Sequence, residues 1–426
     1  MVVAIFLGTL LGCMAIGVPI AFALFVTGAA LMYHMDLFDA QLIGQNAIDG
    51  TNNFILLAAP FFILAGELMN AGGLSKRIVN LAMTVIGHVP GGLGYVAVFA
   101  AVIMASLSGS AVADTTALAA LLLPMMREAN YNIPRMSGLI ATGGIIAPII
   151  PPSIPFVIFG VAAQVSITKL FFAGIVPGIM MGCSILLAWY IVARKDKMVG
   201  RPRASAKDVG KAFADGIWAL FLPVAIIGGL RFGFFTPTEA AAFAAVYSLL
   251  VGLFIYRELK VSHLFDLFLS AAYTTAVVMF LVGGAMVTSW LITIADLPGQ
   301  VVELLQPVMH NQTLFMLTIV VLIFIIGTSM DMTPNILILA PVLMPVVKEV
   351  GIDPVYFGVI FVMINAIGLI TPPVGTSLNA VCGVSKLRIE QVVVGMWPFL
   401  LAEMLVIVLL VLFPSIVTVP LYWMTG

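Results

Sequence analysis

The sequence predicts an all-α polytopic membrane protein, and three observations carry that prediction. Of 426 residues, 62% are hydrophobic and only 9% are charged, and the mean hydropathy is +1.19. Apolar runs long enough to cross a bilayer as helices recur from end to end. In matching places of two halves, those runs are interrupted by a short polar, Gly-containing stretch and then, downstream, by a Pro-Pro pair. The net charge of −1 leaves no basic face for nucleic acid, and the three scattered cysteines (Cys13, Cys183, Cys382) form no metal or redox motif. Soluble-enzyme, nucleic-acid-binding and disulfide-scaffold classes fall away.

The first apolar run lacks a basic n-region and exceeds a signal h-region, so it is read as a retained span over 2–32. Further full spans are expected at 54–72, 135–165, 170–193, 212–231, 237–257, 268–292, 354–384 and 390–420. The segments 89–127 and 312–348 each hold two short helices around a polar tip and read as re-entrant hairpins. Their tips are Ser106-Leu-Ser-Gly-Ser-Ala-Val-Ala-Asp-Thr-Thr116 and Ile326-Gly-Thr-Ser-Met-Asp-Met-Thr-Pro-Asn335. Such a break leaves backbone N–H and C=O groups without helical partners, which hydrocarbon tolerates only where protein or a water-filled cavity surrounds them. Proline removes a donor and clashes with the preceding turn, so Pro151-Pro152 and Pro372-Pro373 make 135–165 and 354–384 broken helices with freed carbonyls. Leu74–Leu81 and Leu297–Leu304 are amphipathic and read as arms on the membrane surface. Thr236-Pro-Thr-Glu239 has the form of a helix start, and Glu67, at the end of its span, is expected at the interface or paired with Lys76 or Arg77.

Seven of the eighteen Lys and Arg residues lie between Arg194 and Lys211, which makes that loop cytoplasmic. Threading outward from it puts fifteen basic residues inside and leaves only Lys169, Arg231 and Lys348 outside, with the N-terminus cytoplasmic and the C-terminus periplasmic. The two halves then run in opposite senses: 1–193 is a first inverted repeat, 194–235 a basic loop and linking span, and 236–426 the second repeat. Broken helices and hairpin tips in corresponding places of two inverted halves are the pointer to a secondary transporter. The two tips should approach each other near mid-membrane.

At these motifs the sequence closely resembles the large membrane subunit of tripartite ATP-independent periplasmic (TRAP) transporters, the DctM-like family. The resemblance rests on Pro60-Phe-Phe-Ile-Leu-Ala-Gly-Glu67, Ser108-Gly-Ser-Ala-Val-Ala-Asp-Thr115, Ile149-Ile-Pro-Pro-Ser153, Phe235-Thr-Pro-Thr-Glu-Ala-Ala241, Ala340-Pro-Val-Leu-Met-Pro345 and Ile370-Thr-Pro-Pro-Val-Gly375, and it covers the whole chain. It implies an elevator-type importer of the bacterial inner membrane, not an enzyme. It also implies a separate four-helix small membrane subunit, a periplasmic substrate-binding protein that delivers an organic acid, and sodium coupling with an ion beside each tip.

Sodium takes hard oxygen ligands. Ser108, Ser110 and Asp114, with carbonyls at Ala147, Ile150 and Pro152, form the first candidate site; Gly327, Thr328, Asp331, Gly368, Thr371 and Pro373 form the second. Small and hydroxyl residues also serve close helix packing, but two repeat-related clusters beside Pro-Pro breaks favour ligation. The two aspartates balance the ion's charge or hold the tips; the alternative is a proton relay. Thr115, Thr116, Ser153, Ser329, Thr376 and Asn379 are candidate substrate contacts, through hydroxyl and amide groups beside broken-helix N-termini. The expected activity is sodium-driven uptake of a sugar acid such as sialic acid, or of a dicarboxylate. Proton-coupled uptake is the runner-up, and a channel-like membrane protein is the further alternative.

Overall fold

The computed structural model describes residues 2–195 and 202–425, which form twenty α-helices and no strand. The chain opens with α1 (Val2–Ala15), α2 (Ile20–His34) and α3 (Ala40–Thr51). The span expected over 2–32 is therefore two helices. Gly17 takes a left-handed backbone (φ 85°), Pro19 sits at the start of α2, and α1 packs alongside α2. The third helix, which the sequence reading did not anticipate, is capped by Asp39 and buries no residue.

A 3₁₀ turn at Phe54–Leu57 leads into α4 (Ala58–Ala71), followed by α5 (Leu74–Ile86), α6 (Gly92–Ser108) and α7 (Ala111–Glu128). Next come α8 (Ile133–Gly144), α9 (Ile154–Ala162), α10 (Ile167–Lys195) and α11 (Ala206–Arg231). Of the basic loop, Lys197 and Arg201 lie outside the described residues. The second half contains α12 (Pro237–Leu250), which continues in a π-helical turn to Ile255, then α13 (Val261–Ile294) and α14 (Leu297–Met309). It continues with α15 (Gln312–Gly327), α16 (Met332–Glu349), α17 (Pro354–Gly368) and α18 (Thr376–Ser385), and ends with α19 (Ile389–Leu412) and α20 (Ser415–Thr425).

Seven of the helical segments are long and apolar enough to cross a membrane. At 34 residues, α13 is about 51 Å long, well beyond the roughly 30 Å hydrocarbon core. Its span is longer than the 268–292 expected. The span expected over 390–420 stops at Leu412, because Pro414 cannot continue the helix, and α20 resumes beyond it.

Both expected hairpins exist as helix pairs, α6–α7 and α15–α16, and both expected broken helices exist, α8–α9 and α17–α18. The bonds Pro151–Pro152 and Pro372–Pro373 are both cis. The two amphipathic arms are helices α5 and α14. On α5, Leu74, Ile78, Val79, Leu81 and Ala82 are buried while Lys76 is exposed, so charge and apolar surface lie on opposite sides. Thr236 and Glu239 form the expected capping box, with the Thr236 N–H and hydroxyl each 2.8 Å from Glu239 Oε2.

The centre of the packing is aromatic. Trp189 on α10 is fully buried, donates from Nε1 to the Gly91 carbonyl at 3.0 Å, and meets the rings of Tyr95, Tyr131 and Phe399. This ties the first hairpin to α10 and α19. On the opposite flank α2 packs on α13 through Phe22, Phe25 and Phe280, and Thr288 Oγ1 donates to the Leu24 carbonyl at 3.1 Å. Arg231 at the end of α11 donates to the carbonyls of Met424 and Trp423 at 2.6 and 3.3 Å, so those two chain segments lie together.

That pairing makes a testable statement about sidedness. With 194–211 inside, a cysteine at Arg203 is expected to react with impermeant thiol reagents only after the cell is opened, and one at Trp423 in intact cells once the outer membrane is permeabilised. Labelling of position 203 from the periplasmic side would contradict the threading.

Candidate functional site

The tip of the first hairpin is held by its own side chains. Ser108 Oγ donates to Asp114 Oδ1 at 2.6 Å and accepts the Ser110 N–H at 3.1 Å, while Ser110 Oγ accepts the Ala113 N–H at 3.4 Å and caps α7. Gly109 turns between the helices with φ 61°, and a Cβ there would lie 2.7 Å from the Pro152 carbonyl oxygen. The tip therefore docks directly on the first Pro-Pro break, which only a residue without a side chain allows.

Beneath it, residues 145–153 are fully buried. Ser153 caps α9 through the Phe156 N–H at 3.2 Å and also donates to the Pro148 carbonyl. The carbonyls of Ala147, Ile150 and Pro152 accept no backbone hydrogen bond among the described residues. Asp114 is buried with Oδ2 unpartnered, and so is Thr115 Oγ1. Such a buried, oxygen-rich and under-satisfied set fits a hard monovalent cation.

The second hairpin repeats the arrangement with a more open edge. A Cβ at Gly368 would lie 2.6 Å from the Gly327 carbonyl oxygen, and the Val374 N–H donates to the Thr328 carbonyl at 3.1 Å. Thr328 Oγ1 and Thr371 Oγ1 each donate to a carbonyl in their own preceding turn, at 2.8 Å. Thr376 Oγ1 donates to Asp331 Oδ1 at 3.2 Å, and Asn379 Nδ2 donates to the Val374 carbonyl at 2.6 Å. Here Pro372, Pro373 and Val374 are exposed, whereas their counterparts at the first break are buried. Gly327, Thr328, Gly368 and Thr371 supply hydroxyl and carbonyl oxygens at the tip–break junction, a donor set that also suits such a cation.

Between the two tips lies a cavity of about 600 Å³. Its wall brings together Ser108, Ser110 and Thr116 from the first hairpin, Asp331 and Thr333 from the second, and Thr274 from α13. The tips thus meet across a shared space, as the threading required. Helices α7, α9 and α16 all begin at this wall, through Ala111 and Val112, Ile154, and Met332. First-turn amides have no intrahelical acceptor and carry the positive end of the helix dipole. Ser110 and Ser153 each take one first-turn amide, of Ala113 in α7 and Phe156 in α9, while Asp331 makes no side-chain cap hydrogen bond to α16. The other first-turn amides of α7 and α9 are left to meet an anion. Among the described residues no Lys or Arg lines the cavity.

Of the six candidate substrate contacts, only Thr116 lines this cavity. Thr115 is buried and turned toward Gly144, Ser153 serves its cap, Thr376 and Asn379 are engaged locally, and Ser329 is exposed. The sequence reading missed Glu67 and Asn70, which line the cavity from α4. Glu67 is not paired with Lys76 or Arg77: it accepts from Ser270 Oγ at 3.2 Å, while Arg77 binds Glu258 at 2.7 Å and stacks on Tyr256. Position within an apolar span was the available signal, since a carboxylate there needs a cavity or a partner. The same signal marks Asn335, Asn365 and Glu403, all buried; both oxygens of Glu403 are unpartnered.

An all-helical chain with spanning helices, broken helices and a cavity between paired hairpin tips is a multi-pass membrane transporter in class. The family model of the tripartite ATP-independent periplasmic transporter, DctM component, matches residues 7–416, and the chain belongs to that family. Over 423 residues it is 57% identical to the 2,3-diketo-L-gulonate TRAP transporter large permease protein YiaN of Escherichia coli, covering 99% of this chain and 100% of the relative. It is 35% identical to the sialic acid TRAP transporter large permease protein SiaM of Vibrio cholerae, covering 95% of each. Among solved structures, the YdaH transporter of Alcanivorax borkumensis matches with a TM-score of 0.63 at 16% identity, over 93% of this chain and 90% of that one, a likeness of fold. These sequence relatives are transport permeases, not enzymes.

The docking of Gly109 on Pro152 is directly testable. A Cβ in a left-handed backbone costs about 1–2 kcal/mol before any clash, and the atoms it would meet are backbone and cannot swing aside. Gly109→Ala is expected to lower uptake at least roughly tenfold in protein still present in the membrane, measured as uptake per quantified permease. Unaltered uptake would mean that the tip does not need this close approach.

Proposed function

We propose that this chain is the large permease of a three-part uptake system of the bacterial inner membrane, importing an organic acid, with a sugar acid as substrate, on a sodium gradient. The observation that carries the reading is the cavity between the tips, where the N-termini of α7 and α9, each with a single amide taken by its serine cap, face a space that no basic side chain of the described residues lines. A carboxylate is held there by backbone N–H groups and by the Ser110 hydroxyl, with Thr116, whose Oγ1 donates to the Val112 carbonyl at 2.7 Å, on the same wall. Glu67 on the same wall accepts from hydroxyl groups and repels a second carboxylate, and Asn70 adds an amide to the polar wall, which favours a polyhydroxy monoacid over a dicarboxylate. The 2,3-diketo-L-gulonate and sialic acid relatives support that substrate class.

The sodium reading is supported by the hard-oxygen sets at both breaks. Ser108, Ser110, Asp114, Ala147, Ile150 and Pro152 would hold one ion; Gly327, Thr328, Asp331, Gly368, Thr371 and Pro373 would hold the other. A bound cation neutralises the buried carboxylates and draws each tip onto its break. An elevator motion of the hairpins and broken helices, with 1–193 and 236–426 as inverted repeats, accords with the matched tips. The weak anion site, lacking a cation of its own, fits a permease that leaves selection to a periplasmic binding protein and works beside a small membrane subunit.

Thr328 offers a cleaner test than Ser110, whose hydroxyl also caps α7. Reconstituted with its small subunit and binding protein, Thr328→Ala is expected to raise the sodium concentration for half-maximal uptake. One lost oxygen ligand costs about 1–3 kcal/mol, a shift of roughly five- to a hundredfold. Uptake driven by a proton gradient in sodium-free medium would overturn sodium coupling in favour of a proton relay through Asp114 and Asp331.

A further inference from the structure

Two asparagines outside both candidate ion sets meet at the second break. Asn335 on α16 and Asn365 on α17 are each 1% exposed, and Asn335 Nδ2 donates to Asn365 Oδ1 at 2.9 Å. The orientation of both amides follows from the network. Asn365 Nδ2 donates to the Phe361 carbonyl at 2.9 Å, which turns Asn365 Oδ1 toward α16. Asn335 must then present its Nδ2 to that oxygen, and its own Oδ1 is left over, buried and without a partner.

The pair sits against the tip–break junction. A Cβ at Gly327 would lie 3.4 Å from Asn365 Oδ1 and 3.7 Å from Asn335 Nδ2, and Gly327 is the residue whose carbonyl meets Gly368. A buried amide oxygen without a donor is costly in a dry interior. It is also a hard, uncharged oxygen on a side chain whose amide nitrogen lies against Gly327, a residue of the set suited to sodium.

We infer that the side-chain oxygen of Asn335 is a ligand of the cation bound at the second break, and that Asn365 is the positioning residue that aims it there. The inference rests on the sodium reading proposed above and adds one residue from each of two helices to it. Ligation satisfies the orphan oxygen only when the cation is present, so cation binding locks α16 to α17 as well as tip to break.

The test is thermal stability of the purified membrane assembly titrated with sodium chloride against choline chloride, a readout independent of transport. For Asn335→Leu, the sodium concentration at half-maximal stabilisation is expected to rise roughly tenfold or more, while Asn335→Asp, which keeps an oxygen in place, retains stabilisation by sodium. Asn365→Leu should shift the midpoint in the same direction as Asn335→Leu. A helix–helix hydrogen bond and nothing more would lower stability equally at every sodium concentration and leave the midpoint unchanged, and that result would overturn the inference. If Asn335→Leu fails to assemble, Asn365→Leu decides, since an unchanged sodium midpoint there would count against ligation. Absence of any sodium stabilisation in the unaltered protein would instead remove the sodium reading itself.

Discussion

The constraint on which the rest of this structure depends is that backbone polar groups have no water to turn to inside a bilayer. Four helices are interrupted or end in the apolar interior, and at each interruption the freed groups must be met by other protein atoms or by a ligand. The chain solves this by setting a hairpin tip against each Pro-Pro break. Gly109 against Pro152 and Gly327 against Gly368 are contacts that no side chain could share. Part of what the protein does not satisfy internally, Asp114 Oδ2, Asn335 Oδ1 and the carbonyls beside Pro151, lies at these two junctions, while Ser137 Oγ and both Glu403 oxygens are elsewhere. Under-satisfaction at such places is the physical mark of a site that a ligand completes.

The cavity follows from the same arrangement. Because both tips point inward, the helices that begin there aim their N-terminal amides at one space, and an anion can be bound without any buried cation. A lysine or arginine at this depth would bind the substrate tightly and would have to be desolvated when empty. Backbone amides are less demanding and leave release easy. On the proposed reading, the Glu67 carboxylate on the remaining wall favours a ligand rich in hydroxyls over one with a second negative end.

Much of this was legible in the sequence because it rests on local chemistry. Pro151-Pro152, Pro372-Pro373 and the tip motifs located both broken helices and both hairpins, and Thr236-Pro-Thr-Glu239 located a helix start, since proline and capping residues act on their own neighbours. What was not legible depends on distant packing. One apolar run over 2–32 does not reveal that Gly17 and Pro19 fold it into two helices. Glu67 was read against its sequence neighbours Lys76 and Arg77, but its partner is Ser270 on α13, and Arg77 is claimed by Glu258. Hydroxyl residues near the breaks resembled one another as candidate contacts, and only the three-dimensional course of the helices separates Thr116 in the cavity wall from Thr115 one residue earlier, turned into the helix packing. The Asn335–Asn365 pair joins residues thirty apart, beyond any local pattern.

The central claim is that one cavity, shared by the two hairpin tips, holds the transported anion. The most direct measurement places single cysteines at Thr116 and Thr333, on opposite hairpins, in a permease whose Cys13, Cys183 and Cys382 have been replaced by serine. The purified, reconstituted assembly is alkylated with and without a sugar acid such as 2,3-diketo-L-gulonate in sodium buffer. Slower alkylation at both positions when sodium and the acid are present together is the predicted result. A transport-competent permease in which neither position is protected would contradict the account.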